Sequence, residues 1–542
     1  MKQFNLAILL AALVSMVSTK ALAYDVAVEN EDGITIYYNY INDGTEFEVT
    51  FNSYSESYSG DVKIPETVTI QNRTRKVTSI GESAFQYCSG LTSVTIPASV
   101  TSISNAFTAC DSLKKVIVKD LAAWCGISFD ISGNPLDYAQ HLYSDEDTEI
   151  TDLIIPDGVT SIGRLAFRNC TGLTSVTIPA SVTSIGSSAF YNCSGLKKVI
   201  VKDLAAWCGI SFDVYGNPLD YAQHLYSDED TEITDLIIPD GVTSIGMYAF
   251  NRCVALTSVT IPGSVTSIGG YAFLYCTGLT SVIIPDGVTR IGGGAFSGCT
   301  GLTSVTIPAS VTSIGYEAFD YCIGLKKVIV KDLAAWCGIS FDGFTNNNGR
   351  GNGNPLYYAQ HLYIDEDTEI TDLVIPDGVT SIGHRAFEHC SGLTSVTIPD
   401  GVTSIGYGAF QNCTGLTSVT IPGSVTSISY YAFYGCFNLA DLVSLIQEPF
   451  MVRYFVSDIV YSYGTLYVPQ GTIEKYKATD DWRQFVRIEE GMPASIKLPN
   501  SAASNATEVQ RYTIGGESIN SPQHGINVVK MSDGTAKKVI VK

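Results

Sequence analysis

Cysteine, histidine and clustered carboxylates are the residues with which this chain could do chemistry, and nearly all of them recur in phase. Of the 14 Cys, eleven follow a recurrent Phe by three residues: Cys88, Cys110, Cys170, Cys193, Cys253, Cys276, Cys299, Cys322, Cys390, Cys413 and Cys436. The others, Cys125, Cys208 and Cys337, share one phrase, D-L-A-A-W-C-G-I-S-F. No C-x-x-C pair suggests a metal site, and side chains stacked in parallel suit disulfide geometry poorly. The expected state is a buried thiol acting as a small hydrophobe. His141, His224 and His361 all stand in A-Q-H-L-Y, as repeat residues with a structural role. The triplets Asp145–Asp147, Asp228–Asp230 and Asp365–Asp367 carry carboxylates that Ca²⁺ would accept, but lack the spacing of a calcium loop. They are expected to be solvated hairpin turns. Gly349–Gly353 is Gly-rich within an Asn/Gly loop, not between a strand and a helix, so it makes a poor phosphate cradle. H-E-x-x-H, G-x-S-x-G and Walker signatures are absent from the sequence. The expectation is therefore no catalytic residue, no metal and no cofactor.

A repeat must position these residues. L-T-S-V-T-I-P recurs with Pro at 97, 179, 262, 308, 399 and 422, and variants put Pro at 65, 156, 239, 285 and 376. Many neighbouring copies are 23 residues apart. V-T-S-I-G-x-x-A-F-x-x-C follows each Pro. Three copies read L-K-K-V-I-V-K instead, ending at Lys119, Lys202 and Lys331; the next Pro then comes 37, 37 and 45 residues later. These are wide rungs, at about 119–155, 202–238 and 331–375. In S-V-T-I-P the apolar residues alternate, so Val94 and Ile96 face inward and Ser93 and Thr95 outward. Pro ends the strand, and Phe in A-F-x-x-C is buried on the return. One unit cannot cover its own apolar face, so units must stack. Fourteen register positions, Pro65 to Pro422, at about 4.8 Å each, would form a rod of roughly 60–70 Å.

The 542 residues carry 54 acidic and 32 basic side chains, a formal charge of −22, which speaks against a nucleic-acid partner. Hydrophobic residues at 45% exclude a disordered chain. Past the N-terminus no apolar run approaches the roughly 20 residues of a transmembrane span. Residues 1–23 have the form of a secretory signal peptide: a basic start, the apolar run Leu6–Val17 and the A-x-A site Ala21–Ala23. The first Cys is Cys88, so lipidation of an N-terminal Cys is not indicated.

The repeat phrases L-x-x-V-x-I-P, V-x-x-I-G and A-F-x-x-C resemble those of the BspA-like leucine-rich repeat proteins, from about Gly60 to Arg487. The D-L-A-A-W-C-G-I-S-F phrase and Thr465–Lys477 (T-L-Y-V-P-Q-G-T-I-E-K-Y-K) look like the same family. The resemblance implies a β-rich leucine-rich repeat solenoid of stacked parallel short strands with turn or short helical returns. It places an N-terminal cap at 24–59 (hairpin Ile34–Tyr38, Phe47–Phe51), the solenoid at 60–436 and a C-terminal cap at 437–490. A linker, 491–511, leads to a basic tail, 512–542. That tail resembles the C-terminal sorting domains of the type IX secretion route of Bacteroidetes, through Gly525-Ile526, a turn at Ser532–Gly534 and the closing Lys538–Lys542.

Function should then sit on the outward strand face. Its first column places Lys115, Lys198 and Lys327 one register position before Asp152, Asp235 and Asp372. Its second column puts Ile117, Ile154, Ile200, Ile237, Ile329 and Val374 at the same three places. The expectation is three similar contact patches, each a Lys–Asp pair with two outward apolar residues beside it, acting by multivalency. Trp124, Trp207 and Trp336 are expected to fill the wide-rung cores, with Tyr residues along their edges. The resemblance implies a non-enzymatic secreted or cell-surface protein that adheres to a protein or glycoprotein of host or microbial surfaces. Without a sorting signal the location would be the periplasm. A structural surface-layer or decoy antigen is the alternative. A glycan-processing accessory protein or enzyme would have to recruit Asp441, Glu448, Asp458, Glu474, Asp480 and Asp481 in the C-terminal cap.

Overall fold

The computed structural model describes residues 24–51, 58–131, 133–341, 353–493, 508–513, 518–519, 521, 525–531 and 536–541. Residues 1–23, the Gly-rich loop 349–352 and the turn 532–534 lie outside them. The chain forms two compact units that divide at Glu490.

The larger unit is a β-rich leucine-rich repeat solenoid. Each S-V-T-I-P segment is a short strand paired in parallel with the next, in the register that the 23-residue period dictates: Ser175 with Lys198, Val176 with Val199. Each S-I-G segment adds a two-residue strand to a second ladder, as Ser244–Ile245 pairs with Ser267–Ile268. In most L-T-S-V repeats the Thr before the strand ties rungs together, its hydroxyl donating to the carbonyl of the Thr one rung back; Thr257, Thr280 and Thr303 reach Thr234, Thr257 and Thr280 at 3.0–3.2 Å. Repeat Phe rings stack along the core, with Phe250, Phe273, Phe296 and Phe319 at 5.3 Å between centroids. All 14 Cys are free and buried. Their thiols do more than fill space: Cys276, Cys299 and Cys322 each donate to the carbonyl of the Phe 26 residues earlier, at 3.1 Å. Burial pushes these thiols well above their ordinary pKa, to about 12 for Cys322.

The wide rungs differ from the single register positions expected of them. Leu142–Tyr143 forms a further parallel strand against Lys115–Val118, and Leu225–Tyr226 and Leu362–Tyr363 do the same. The first strand ladder closes there and a new sheet starts with Asp152–Ile154, Asp235–Ile237 or Asp372–Val374. The face is thus cut into four blocks. On the other side of the rung a short helix (Leu121–Gly126, Leu204–Cys208, Leu333–Cys337) is inserted, each started by an Asp side chain that accepts backbone N–H groups. In the second and third wide rungs it leads into a second-ladder strand, Ser211–Phe212 or Ser340–Phe341. Trp124, Trp207 and Trp336 are buried, as expected, and bridge the junctions: their indole N–H groups donate to Ala166, Ala249 and Ala386 of the next block at 2.8–3.0 Å.

At the N-terminal end, Val26–Glu29, Thr35–Ile41 and Glu46–Thr50 form an antiparallel meander whose last strand joins Arg73–Ile80. At the other end, Asp441–Ser444, Thr465–Val468 and Arg487–Glu490 extend the fourth block beside buried Phe455, Tyr476 and Trp482. The smaller unit is a four-stranded sheet in which Gly525–Met531 pairs antiparallel with Ala536–Val541. Its first sheet strand begins at Glu508, inside the stretch 491–511 assigned to the linker.

Candidate ligand-binding surfaces

The strand face is not the flat array that alternation implies. After each added strand the acidic triplet makes a tight turn: Ser144 N–H bonds Thr148 O at 3.0 Å, and Tyr143 bridges Glu149 antiparallel. Asp145 Oδ1 accepts from Asp147 and Thr148 N–H at 3.0 and 2.8 Å, which holds its carboxyl below the usual carboxylate range. His141, His224 and His361 brace the turn base through Glu149, Glu232 and Glu369 at 2.5–2.6 Å. The turn folds back over the face. Lys115 Nζ donates to Glu146 O at 2.7 Å and lies 4.9 Å from the Tyr143 ring centroid. Lys198 and Lys327 repeat both contacts with Glu229 and Tyr226, and with Glu366 and Tyr363.

Two expectations about the contact patches are corrected here. Lys115, Lys198 and Lys327 do not stand beside Asp152, Asp235 and Asp372, because the added strand intervenes. Each Lys secures an acidic turn, while each Asp opens the next block and accepts from the Ser and Thr one rung on (Ser175 Oγ to Asp152 at 2.7 Å, Ser258 Oγ to Asp235 at 2.6 Å, Ser395 Oγ to Asp372 at 2.6 Å). Ile117, Ile200 and Ile329 are not outward contacts. They are only 2%, 4% and 1% exposed, because the Tyr paired with each across the ladder lies on the same face under the returning turn. Ile154, Ile237 and Val374, at the open end of their blocks, remain 63%, 67% and 61% exposed. Ile283 joins them at 65%; its place in the outward column was legible, its membership of a patch was not.

The result is a series of grooves, each floored by an Asp–Ser–Lys row and walled by an acidic turn. The first, of about 560 Å³, runs from Asp61 past Ser93 to Lys115, with Glu146 as its wall. The second, of about 460 Å³, runs from Asp152 and Ile154 past Ser175 to Lys198 and Glu229. The third block lengthens the row through Ser258, Ser281 and Ser304 to Lys327. Both charge signs meet within a few rungs, with hydroxyls between them, so the grooves can hydrogen-bond an extended polar chain while Ile154 or Ile237 offers an apolar contact.

Four of the six cap carboxylates named for catalysis have charged or polar partners of their own. Glu448 pairs with Lys475, Glu474 with Lys477 at 3.1 Å, and Asp480 with Arg483 at 2.9 Å, while Asp481 accepts from Gln484 at 2.9 Å. Among the described residues no three His, Cys, Asp or Glu side chains cluster as metal ligands, and no helix is long and apolar enough to cross a membrane.

The family described as BspA type Leucine rich repeat region matches the chain in 6 copies, over residues 54–126, 141–209, 224–347 and 363–448. The chain belongs to this family. Among solved structures, this BspA-type chain is similar to a leucine-rich repeat protein from Bacteroides ovatus (22% identity, covering 86% of this chain and 100% of that one, TM-score 0.39). It is also similar to a leucine-rich cell surface protein from Faecalibacterium prausnitzii (23%, 87% and 96%, TM-score 0.25) and to the pneumococcal vaccine antigen PcpA (15%, 87% and 100%, TM-score 0.24). No curated protein matches the chain.

One carboxyl of the BspA-type solenoid sits apart from the strand face, on the return side of the second wide rung. Burial raises Asp220 from 3.8 to about 6, with Arg252 opposing. In the native state it therefore holds a proton that the unfolded chain has already lost, so stability falls as pH rises from about 4 to 6 and the penalty is complete above 6. Asp220→Asn is expected to match wild type near pH 4 and to exceed it by on the order of 1–3 kcal/mol at pH 7. Urea titrations at both pH values check this; a gap that does not widen with pH overturns it.

Proposed function

We propose that this chain is exported and displayed on the cell surface, where its grooved strand face binds an extended segment of a host or microbial protein or glycoprotein without catalysis. The observation that carries this reading is the line of exposed apolar side chains, Ile154, Ile237, Ile283 and Val374, set beside polar grooves on an otherwise hydrophilic face. Single exposed Ile residues are ordinary. Four in one outward column of the repeat, one of them (Ile154) lining a groove with an acidic wall, suit several weak contacts adding by effective concentration.

Replacing Ile154, Ile237, Ile283 and Val374 together by Ser is expected to lower binding to immobilised extracellular-matrix proteins and to whole bacterial cells at least ~10-fold, because avidity is lost. Because these side chains are mostly exposed, the melting temperature should change little. Unchanged binding by the folded variant would remove the strand face from the reading.

Display on the surface rests on the signal-peptide form of 1–23 and the sorting-like tail. Antibody to the repeats should label intact cells that make the full-length protein and fail to label cells whose protein lacks 512–542. If neither form reaches the surface, a periplasmic binding role takes the place of adhesion.

A further inference from the structure

The return side of the solenoid holds a second kind of surface, unlike the strand face. A cleft of about 410 Å³ lies beside the second wide rung, within the size range of small-molecule sites (about 300–1,000 Å³). Its walls are aromatic: Tyr191, Tyr215, Tyr221, Tyr248, Tyr271 and Tyr275. Tyr191 meets Tyr215 and Tyr221 edge-on at 5.9 and 6.3 Å, and Tyr248 and Tyr271 stack at 5.1 Å. Tyr215, Tyr191 and Tyr275 are the exposed rings, at 60%, 40% and 44%.

Its polar lining is small and specific. Asn251, only 5% exposed, donates from Nδ2 to Asp220, while its Oδ1 is buried with no hydrogen-bond partner. A buried acceptor left unpaired costs about 1–3 kcal/mol, so a donor arriving from a ligand would be rewarded. The Arg252 guanidinium lies 5.1 Å from the Tyr275 ring centroid and offers further donors.

The repeats supply an internal control. Residues 120–163 and 203–246 are identical except where Ile131 becomes Val214 and Ser132 becomes Tyr215. Just beyond, Leu165, Arg168, Asn169, Ser188 and Asn192 become Tyr248, Asn251, Arg252, Tyr271 and Tyr275. At the first wide rung the polar groups satisfy one another: Asn169 donates to Asp137 at 2.8 Å and accepts from Asn192 at 2.9 Å. The second rung opens that closed network and lines it with rings. Tyr248, Tyr271 and Tyr275 have φ of +61°, +56° and +58°, but so do their first-rung equivalents Leu165, Ser188 and Asn192 at +62°, +56° and +60°; the left-handed backbone belongs to the repeat, and what changes at the second rung is the side chain it carries.

The ligand class follows from the chemistry. An apolar molecule would leave Asn251 Oδ1 unpaired. An anion would face the carboxylates of Asp213 and Asp220, and a cation would face Arg252. We propose that the cleft is a saccharide-binding site for a short, neutral pyranose segment, stacked against Tyr215 and its neighbours, with a hydroxyl donated to Asn251 Oδ1. Sugar C–H bonds carry partial positive charge and pack on the negative face of a phenol ring; hydroxyls, both donor and acceptor, serve Asn251, Arg252 and Asp220 together.

The test uses the full secreted chain on an immobilised panel of neutral gluco-, manno-, galacto- and N-acetylglucosamine oligosaccharides, with sialylated and sulfated ones alongside, followed by calorimetry with the best probe. Saturable binding to a neutral member is expected. Tyr215→Ala should weaken it at least ~10-fold, as loss of one stacked ring implies, and Asn251→Leu should weaken it comparably. Tyr434→Ala, an exposed ring elsewhere, and the four-Ser strand-face variant should bind the sugar as wild type does. That last result separates the cleft from the strand face, so either can fail alone. No binding across the panel, preference for an acidic sugar, capture of a peptide instead, or an unchanged affinity in folded Tyr215→Ala would each overturn the proposal.

Discussion

Trp207→Ala is expected to destabilise the solenoid by about 3–5 kcal/mol and to split its thermal unfolding into two transitions. Trp207 is 1% exposed, meets Phe212 edge-on at 5.0 Å and donates its indole N–H to Ala249 O at 2.8 Å. Truncation opens a large cavity and leaves that carbonyl with only a 3.5 Å contact from Asn217 Nδ2. The position matters as much as the size. In a repeat array each rung is held by its nearest neighbours, so overall cooperativity depends on the weakest junction. At this junction the first strand ladder is interrupted between Leu225–Tyr226 and Asp235–Ile237. Without the indole, the blocks on either side should melt separately. Calorimetry of wild type, Trp207→Phe and Trp207→Ala checks this. A single transition within a degree or two of wild type for the Ala variant would show that the remaining contacts, including Gly246 N–H to Cys208 O at 2.8 Å, suffice.

Gly163→Ala should cost the upper part of the 1–3 kcal/mol typical of overpacking, or more. The backbone at Gly163 needs no glycine-specific dihedral; what it needs is space. A Cβ there would stand 1.9 Å from Ile127 O and 2.6 Å from its carbonyl carbon. Both are backbone atoms, so the rungs themselves would have to part, in the place where Gly163 N–H bonds Cys125 O at 2.7 Å. Gly158 is the contrast. Its φ is +89° and a Cβ would meet nothing within 4 Å, so Gly158→Ala should cost only about 1 kcal/mol of backbone strain. Urea midpoints for the two variants decide the point. If Gly163→Ala is the milder substitution, close rung packing is not what holds glycine in the V-T-S-I-G phrase.

Much of the solenoid was legible because its signals repeat. One S-V-T-I-P segment is a weak strand signal, but the same alternation at a fixed period identifies parallel stacking, and the paired register of Ser175 with Lys198 is the period itself. The buried Phe stack and the free thiols were legible for the same reason. The added strands were not. Leu142–Tyr143 is two residues long, too short to show any periodicity, and exists only because Val116 and Ile117 present an open edge to pair with. That one omission displaced every Lys from its supposed Asp partner. The alternation at Ile117 was right about direction; what alternation cannot show is the turn that folds back and covers it.

The Tyr cleft was hidden by distance along the chain. Tyr191, Tyr215, Tyr248 and Tyr275 belong to successive turns of the repeat, and each looks like ordinary variation at a tolerant position. The change from Ser132 to Tyr215 in an otherwise repeated segment was the available signal.

By itself the sequence determined the periodic parts of this protein: repeat length, inward and outward residues, buried thiols and family membership. Those properties depend on local pattern, and a pattern read many times over is its own confirmation. Only the tertiary structure decided where the surface is interrupted, which outward residues stay exposed, and which side chains from different rungs line one cleft. Those depend on departures from the repeat, whose consequences appear only when neighbouring rungs are stacked at van der Waals distance.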